Sequence, residues 1–334
     1  MKRLLYVLCA AFCVAVMFQS CGNKSSQSDR IDVIFDTDAN NELDDQHAIT
    51  YLLMNPESFN VVGITTNNTH NGDGIEGQTR EARRIIDLAG KWGEGVVLKS
   101  GANANFEDIK DSLDVEGYDG CDAVDFIIES AKNYTPEAKL TVIAVGKLTN
   151  LALAAMKAPG IIPNIRLVWL GGNYPEPGEY NLMDDIPSMN YLLDTDIEFE
   201  FVTVRYGKTS GTDAVRVTRE FAHENFGGKG PQVATPVEGR HGGQFTCFGD
   251  YSVNLFDNIK LHSDGTRSLY DLCAVAVVKN PQWAQTAEIP APTMIDKVWV
   301  DRPDNERTVL LWENFDRDGI VGDFVATLDK CTVK

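Results

Sequence analysis

The order in which apolar segments and helical patterns follow one another constrains the fold of this chain most strongly. Six short runs rich in β-branched residues predict strands before about residue 205: DVIF, NVVGITT, GVVLKSG, LTVIAVG, IRLVWLGG and EFEFVTV. Segments with apolar residues at helical spacing lie between them: QHAITYLLMN, QTREARRIIDLAGKWG, AVDFIIESAKNY and LTNLALAAMKAP. This alternation is typical of parallel strands joined by crossover helices. It predicts an α/β fold with an open, mostly parallel sheet flanked by helices.

The pattern changes after about residue 205. Two long segments rich in glycine and loop formers come first, RYGKTSGTDAVRV and NFGGKGPQVATPVEGRHGGQFTCFGDY. A helical pattern returns in SLYDLCAVAVVKNP, and KVWVD, RTVLLWEN and FVATLD are predicted as closing strands. With 334 residues, 43% of them hydrophobic, the chain can bury a substantial core. We expect one domain whose irregular segment contributes a lid.

The first residues have the layout of an export signal. Two basic residues precede an apolar run that is short for a membrane span and ends in small and polar residues. The FQSC step resembles a bacterial lipoprotein signal, which makes Cys21 the lipidated first residue of the mature chain. An ordinary cleaved signal peptide with an incidental cysteine is the alternative. The predicted division is a lipoprotein signal peptide (1–20), a linker (21–30) and one domain (31–334). We expect an exported protein, lipid-anchored on the periplasmic side of the outer membrane.

The charge of the chain limits the classes of partner. A formal net charge of −19 argues against a protein that tracks nucleic-acid phosphates, because such a protein needs a basic surface. After the signal, no stretch is long and apolar enough to cross a bilayer. We therefore expect a small-molecule partner, no nucleic acid, and membrane contact only through the lipid anchor.

Four cysteines remain after the signal and Cys21: Cys121, Cys247, Cys273 and Cys331. They have neither metal-site spacing nor the density of a disulfide scaffold. We expect mostly buried small side chains, and one disulfide remains open.

An acidic loop follows the first predicted strand. DTDANNELDD places Asp36, Asp38, Asp44 and Asp45 within ten positions, directly before a helical pattern. Crowded carboxylates repel one another, and the repulsion grows as they become less exposed. In open α/β sheets ligands collect at the carboxyl ends of the strands, where this loop begins. A cage of carboxylate and carbonyl oxygens around Ca²⁺ would remove the repulsion.

The acidic loop has three other possible interpretations: an EF-hand, a phosphoryl-transfer loop and a solvated turn that caps a helix. An EF-hand starting at Asp36 is excluded because Asn41 and His47 stand where Gly and Glu are needed. A phosphoryl-transferring DxDx(T/V) loop fits poorly, since Asn40 occupies the Thr/Val position. A solvated acidic turn that caps the helix from Gln46 remains open for the loop taken alone.

Five segments in the same order resemble the nucleoside hydrolases of the inosine-uridine-preferring type. The acidic loop resembles the family's DxDxxxDD loop, with two extra residues between the second and third aspartates. VVGITTNN resembles the second strand, and TVIAVGKLTNLALA the Gly-Pro-Leu-Thr-Asn segment, with Lys147 in place of proline. Asn173, Glu179 and Asn181 reproduce an Asn-x5-Glu-x-Asn spacing, and LYDLCAVAVVKNP resembles the late helix with a metal aspartate. The resemblance extends from about residue 31 to the C-terminus.

This resemblance implies Ca²⁺-dependent hydrolysis of the N-glycosidic bond of ribonucleosides, giving ribose and free base. It implies Ca²⁺ ligands at the side chains of Asp38, Asp45 and Asp271 and at the backbone carbonyl of Val145. Asp44 would be the general base that takes a proton from the attacking water. Family relatives are often oligomers, so a homo-oligomer is expected on likeness alone.

The resemblance also implies a set of residues around the sugar. Asp36 would support the metal cage, and the expected substrate-binding residues are Asn173, Glu179, Asn181, Asn68, Asn71 and Tyr270. Asn67 competes with Asn68 and Asn71 for one ribose-facing position, and the loop length does not decide among them.

The group that assists the leaving base stays open. Purine-active relatives have a histidine where this chain has Tyr270, and His241 and His262 lie in the neighbouring irregular segment. Base preference also stays open. Two alternatives keep the fold: a hydrolase of another ribosyl or glycosyl compound, and a non-catalytic sugar-binding lipoprotein.

Overall fold

Eight strands form one central sheet in the structure, a computed structural model that describes residues 30–332. The order across this sheet is β11-β14-β6-β5-β4-β1-β2-β3, and every neighbouring pair is parallel except β11 with β14. The predicted α/β fold is confirmed. The strands are β1 (Ile31–Thr37), β2 (Phe59–Thr66), β3 (Leu98–Lys99), β4 (Leu140–Ala144), β5 (Ile165–Leu170), β6 (Glu198–Val202), β7 (Arg216–Thr218), β8 (Val237–Glu238), β9 (Gln244–Phe245), β10 (Thr266–Ser268), β11 (Gln285–Pro290), β12 (Thr293–Ile295), β13 (Val298–Val300) and β14 (Thr308–Glu313).

Helices cover both faces of the sheet, because successive side chains of a strand point to opposite sides. In β1, Val33 and Phe35 belong to one hydrophobic cluster and Ile34 to the other. The first cluster includes α1, α2, α9, α10 and α11, and the second includes α4, α5 and α7. The helices are α1 (Asp44–Leu53), α2 (Gly74–Leu88), α3 (Phe106–Ile109), α4 (Cys121–Ala131), α5 (Thr149–Lys157), α6 (Tyr180–Asp184), α7 (Ile186–Leu193), α8 (Arg219–Asn225), α9 (Phe248–Asn258), α10 (Tyr270–Lys279) and α11 (Arg317–Cys331).

Two helices are buried along nearly their whole length. All ten residues of α1 are buried, and in α10 only Lys279 is not. The two helices pack against each other. A helix that is buried on every side carries no solvent-facing stripe, so the polar residues in the first turns of α1 and α10 are placed inside the protein.

The predicted strand FVATLD is wrong. It lies within α11, where Ile320, Val321, Phe324 and Leu328 are buried at helical spacing. Asp316 caps this helix, its side chain accepting a hydrogen bond from the backbone N–H of Gly319. The β-branched residues of the segment resemble a strand locally, but the apolar pattern of the full fifteen residues is helical.

The irregular segment contains more regular structure than its sequence indicates. It holds α8, α9 and the strands β7 to β10. Of the four cysteines, Cys247, Cys273 and Cys331 are buried and Cys121 is partly exposed, and all four are free. Between residues 30 and 332, no helix has both the length and the apolar character needed to span a bilayer. The predicted signal peptide and Cys21 lie outside the described residues.

Phe324→Ala is expected to lower the free energy of unfolding by about 3–5 kcal/mol. The ring is fully buried and contacts the rings of His47 and Tyr51, with centroids 5.5 and 5.9 Å away. Urea unfolding measures the loss, and Val325→Ala, at a partly buried neighbour, is the control with a smaller loss. Equal losses for the two variants would show that α11 does not pack as described.

Candidate active site

The sheet has a topological switch point between β1 and β4. The strand order β3-β2-β1-β4-β5-β6 runs outward in both directions from this pair, so the crossover connections leave a crevice at its carboxyl end. Asp38 follows β1 at this edge, and Val145 follows β4. Side chains from the starts of α1 and α10 reach the same place.

Four carboxylates meet there: Asp38, Asp44, Asp45 and Asp271 are between 1% and 4% exposed. Carboxylate oxygens of Asp44, Asp45 and Asp271 all lie within 4.8 Å of one another. The hydroxyl of Thr37 donates to Asp45, and that of Thr69 donates to Asp38 at 2.5 Å. The fold thus brings together the four acidic residues predicted to form the metal cage and the general base.

The carboxylates of the cluster have no direct ion-pair partner in the described part of the chain. Among residues 30–332, no lysine, arginine or histidine forms an ion pair with any of the four carboxylates. Burial, followed by the charge of Asp45, raises the pKa of Asp44 to about 7. Burial raises the pKa of Asp45 to about 6, although hydrogen bonds from Thr37 and Asp271 lower it. Burial and the neighbouring carboxylates also raise the pKa values of Asp38 and Asp271.

The donor set fits a hard divalent cation. Carboxylate and carbonyl oxygens are the ligands that Ca²⁺ and Mg²⁺ prefer. The carbonyl of Val145 lines the same pocket and accepts a hydrogen bond from Asn181 Nδ2 at 2.8 Å, which leaves it a second lone pair. Asp38, Asp45, Asp271 and this carbonyl could therefore hold a metal ion, with Asp44 beside it.

Asp36 lies behind the cluster and is occupied by hydrogen bonds. Its carboxylate accepts from the side chains of Thr65, Asn67 and Asn150 at 2.6–2.7 Å. Burial nevertheless raises its pKa to about 6. The three donors belong to β2, the loop after it and α5, so Asp36 ties together the elements that border the crevice. This geometry is that of a supporting residue.

Three of the residues predicted to bind the substrate line the pocket, Glu179, Asn181 and Tyr270, and Asn173 does not. The carboxylate of Glu179 accepts from the backbone N–H groups of Gly172, Asn181 and Leu182 at 2.8–2.9 Å. The amide of Asn181 donates to the carbonyls of Val145 and Leu170. These contacts build the loop before α6, so much of the hydrogen-bonding capacity of both side chains serves the protein itself.

The other asparagines predicted to bind the substrate lie outside the pocket. Asn173 Oδ1 accepts from the backbone N–H of Tyr206 at 3.2 Å. Asn68 Nδ2 is 3.4 Å from the carbonyl of Asn103, and Asn71 is exposed. Neither Asn68 nor Asn71 lines the acidic pocket, and the side chain of Asn67 donates a hydrogen bond to Asp36.

The three candidates for assisting the leaving base, Tyr270, His262 and His241, lie in different parts of the structure. Tyr270 lines the pocket, but its hydroxyl donates to Asp213 at 2.9 Å, and burial raises its pKa. His262 Nε2 lies 3.1 Å from the hydroxyl of Ser268. His241 lines a different pocket beside Arg240. Neither histidine lines the acidic pocket, and the tyrosine hydroxyl has its acceptor within the protein.

Among the pocket-lining residues that the sequence does not predict, four are charged or aromatic. The pocket has a cavity volume of about 130 Å³. The additional residues are Glu42, Tyr180, Tyr206 and Arg267. Tyr206 and Arg267 come from the two ends of the irregular segment, so this segment borders the site. The ring of Tyr206 lies perpendicular to that of Tyr270, with centroids 6.0 Å apart. No local pattern distinguishes these residues in the sequence.

A sequence model of the family described as "Inosine-uridine preferring nucleoside hydrolase" matches residues 33–321. The chain belongs to this family. The resemblance predicted from the five segments is therefore confirmed. The predicted class of enzyme, an N-glycosyl hydrolase acting on nucleosides, is that of the family.

Several curated proteins are similar to this nucleoside hydrolase family member over part of its length. An uncharacterized protein of Schizosaccharomyces pombe is 29% identical over 227 residues, covering 60% of this chain and 69% of that protein. The non-specific ribonucleoside hydrolase RihC of Klebsiella pneumoniae subsp. pneumoniae is 29% identical over 178 residues, covering 47% and 55%. The probable uridine nucleosidase 2 of Arabidopsis thaliana is 29% identical over 221 residues, covering 59% and 61%. The chain thus spans 55–69% of the length of these relatives.

Solved nucleoside hydrolases share the fold. A plant nucleoside hydrolase superposes with a TM-score of 0.68 at 20% identity, covering 90% of this chain and 99% of that one. The purine-preferring ribonucleoside hydrolase from Gardnerella vaginalis has a TM-score of 0.65 at 22% identity, with the same coverage. These likenesses show that the chain has the same fold over about 90% of its length.

Proposed function

We propose that this protein hydrolyses the N-glycosidic bond of ribonucleosides with the help of a bound Ca²⁺, releasing ribose and a free base. One observation carries the proposal: four buried carboxylates converge at the switch point without a cationic partner among residues 30–332. Two relatives bear the names of a ribonucleoside hydrolase and a uridine nucleosidase, which supports the same reaction.

Each group in the cluster has a place in this reaction. Asp38, Asp45, Asp271 and the Val145 carbonyl would hold the ion. When bound, it would orient the ribose hydroxyls and acidify the attacking water. Asp44 accepts the proton of that water as its oxygen bonds to C1′ of the ribose. The C1′–N bond breaks and its electron pair leaves with the base, through an oxocarbenium-like transition state.

The base would lie against the aromatic side of the pocket. Tyr206 and Tyr270 present two rings at right angles, and such surfaces bind flat bases by stacking. Glu179 and Asn181 keep the loop under the sugar in place through the backbone hydrogen bonds described above. The proposal thus gives the tyrosines a binding role and leaves proton transfer from the water to Asp44.

A panel of purine and pyrimidine nucleosides tests the proposed function. Purified protein with Ca²⁺ should release reducing sugar from at least one of them, a chelator should stop the release, and added Ca²⁺ should restore it. A broad panel without release, while calorimetry shows Ca²⁺ bound, would contradict the proposal.

Calcium affinity is expected to increase from pH 5.5 to pH 8. Protons compete with the ion for its ligand Asp45, whose pKa is raised to about 6 in the metal-free protein. A proton on the neighbouring Asp44, whose pKa is raised to about 7, is also repelled by the ion. Below these values the sites hold protons that the ion must displace, so affinity falls as the pH falls. Calorimetry across this range, in buffers of different ionisation enthalpy, measures both the affinity and the protons released. An affinity that does not change with pH would show that Asp45 does not bind the ion.

The cellular location belongs to the same proposal and rests on the sequence alone. Export with a lipid anchor at Cys21 would place the enzyme where it can scavenge nucleosides outside the cytoplasm. Mass spectrometry of the membrane fraction, with Cys21→Ala as the comparison, tests the anchor. A homo-oligomer is tested by light scattering.

A further inference from the structure

A buried arginine lines the acidic pocket. Arg267, at the centre of β10, is 8% exposed and lies in the pocket wall with Tyr270 and Asp271. Its guanidinium carbon is 6.0 Å from the centroid of the Tyr270 ring. Arg267 is the one cationic side chain among the described residues that line this pocket. A guanidinium beside a nucleoside site is a fixed donor of hydrogen bonds and positive charge.

The arginine keeps unused donors. Its Nη2 forms an ion pair with Glu42, which lies in the enlarged loop between β1 and α1. Its Nε and Nη2 are both buried, and neither has a hydrogen-bond partner in the part of the chain that the structure describes, so the contact with Glu42 is an ion pair alone. A buried N–H group without an acceptor costs free energy. An acceptor supplied by the substrate would remove this cost.

Departure of the base creates the acceptor. As the C1′–N bond breaks, its electron pair goes to the base, whose nitrogen and oxygen atoms gain negative charge. The Tyr270 hydroxyl is committed to Asp213, and neither His241 nor His262 lines the pocket. Arg267 is therefore the cationic donor that the described pocket-lining residues offer to this charge.

The geometry points to Arg267 as the catalytic residue that stabilises the leaving base: its guanidinium donates hydrogen bonds to the departing base anion, and Glu42 holds it in position. This inference rests on the proposed nucleoside hydrolysis. The guanidinium keeps its proton throughout, since arginine does not deprotonate in proteins. The base leaves as an anion paired with Arg267 and takes its proton from solvent, while the water's proton goes to Asp44.

Two substrates that differ in their leaving group test this role. Inosine or uridine, whichever the wild type cleaves faster, has a poor leaving group, and 4-nitrophenyl β-D-ribofuranoside has one that departs as a stable anion. Arg267→Met should lower kcat for the nucleoside by about 10²–10³-fold, the usual effect of removing one transition-state donor. It should leave kcat for the nitrophenyl riboside nearly unchanged. Arg267→Lys should recover part of the loss.

Arg307→Met is the matched control. Arg307 is a partly buried arginine that also has a buried Nε without a partner among the described residues, but it precedes β14 at the opposite end of the sheet. This variant should keep both activities. Thermal unfolding of all variants, with and without Ca²⁺, shows whether each remains folded.

The outcomes separate the two proposals. Equal losses on both substrates in folded Arg267→Met would assign Arg267 a structural role and overturn this inference, as would unchanged kcat for the nucleoside. If the wild type cleaves neither substrate with Ca²⁺ bound, the proposed function itself fails. A series of phenyl ribosides gives a further readout, because kcat/KM of Arg267→Met should depend more steeply on leaving-group pKa than that of the wild type.

Discussion

Asp44→Asn is expected to leave the protein folded and able to bind calcium, while kcat for nucleoside hydrolysis falls by about 10²–10⁴-fold, the usual contribution of a general base. The amide matches the carboxylate in size but cannot accept a proton from water. Asp44 also adds to the charge that raises the pKa values of Asp38 and Asp271, so removing its charge relieves repulsion in the metal-free protein. Single-turnover kinetics with excess enzyme measures the chemical step directly.

Asp73→Asn is the control for this experiment. Asp73 is exposed and has a left-handed backbone conformation, with φ of 64°, which asparagine also adopts readily. The control should keep wild-type kcat. If Asp44→Asn lost calcium binding in proportion to its activity, Asp44 would be a ligand of the ion instead of the base.

Asp271→Asn is expected to abolish both calcium binding and turnover, and at the same time to raise the melting temperature of the metal-free protein. The opposite effects have one cause. Without the ion, Asp271 is a buried carboxylate beside Asp44, Asp45 and Asp38, and its ionised form is disfavoured by burial and by their charges. Neutralising it removes that repulsion, but it also removes one wall of the cage.

Differential scanning calorimetry with and without Ca²⁺ measures both effects. At a concentration about 1,000 times its Kd, the ion should stabilise the wild type by about 4 kcal/mol, and the variant should gain little. Loss of the metal costs several kcal/mol of transition-state stabilisation, on the order of 10³-fold in rate. Wild-type stabilisation of Asp271→Asn by Ca²⁺ would place the ion elsewhere.

Much of the architecture follows from residue patterns in the sequence. Strands β1, β2, β4, β5 and β6 were predicted because each is a short apolar run between loop formers, and α1, α2, α4 and α5 because their apolar residues recur at helical spacing. The strand prediction within α11 is wrong because the six residues of FVATLD, taken alone, do not show the longer helical pattern. Its helical character depends on Ile320 and Val321, which precede these six residues and face the core.

Less of the site than of the fold can be predicted from residue patterns, because the residues of the site are distant from one another in the chain. Asp38, Asp44 and Asp45 stand in one loop, but Asp271 was included only through the family resemblance. Arg267 has no local signal. It enters the pocket because β10 pairs with β7 and leads directly into α10.

Hydrogen bonding within the protein also limits what residue spacing can predict about the site. The spacing of Glu179 and Asn181 predicts polar side chains near the sugar, and both line the pocket. Spacing does not show that three backbone N–H groups occupy the Glu179 carboxylate, because cap and ligand use the same atoms. Only the folded loop distinguishes the two.

The burial of α1 and α10 affects how the ion can bind and dissociate. Asp45 and Asp271 belong to helices embedded in the core, so these two ligands are held more rigidly than they would be in a flexible loop. Exchange must proceed through the mouth of the pocket while the scaffold stays rigid. We therefore expect the ion to bind and dissociate without unfolding of α1 or α10.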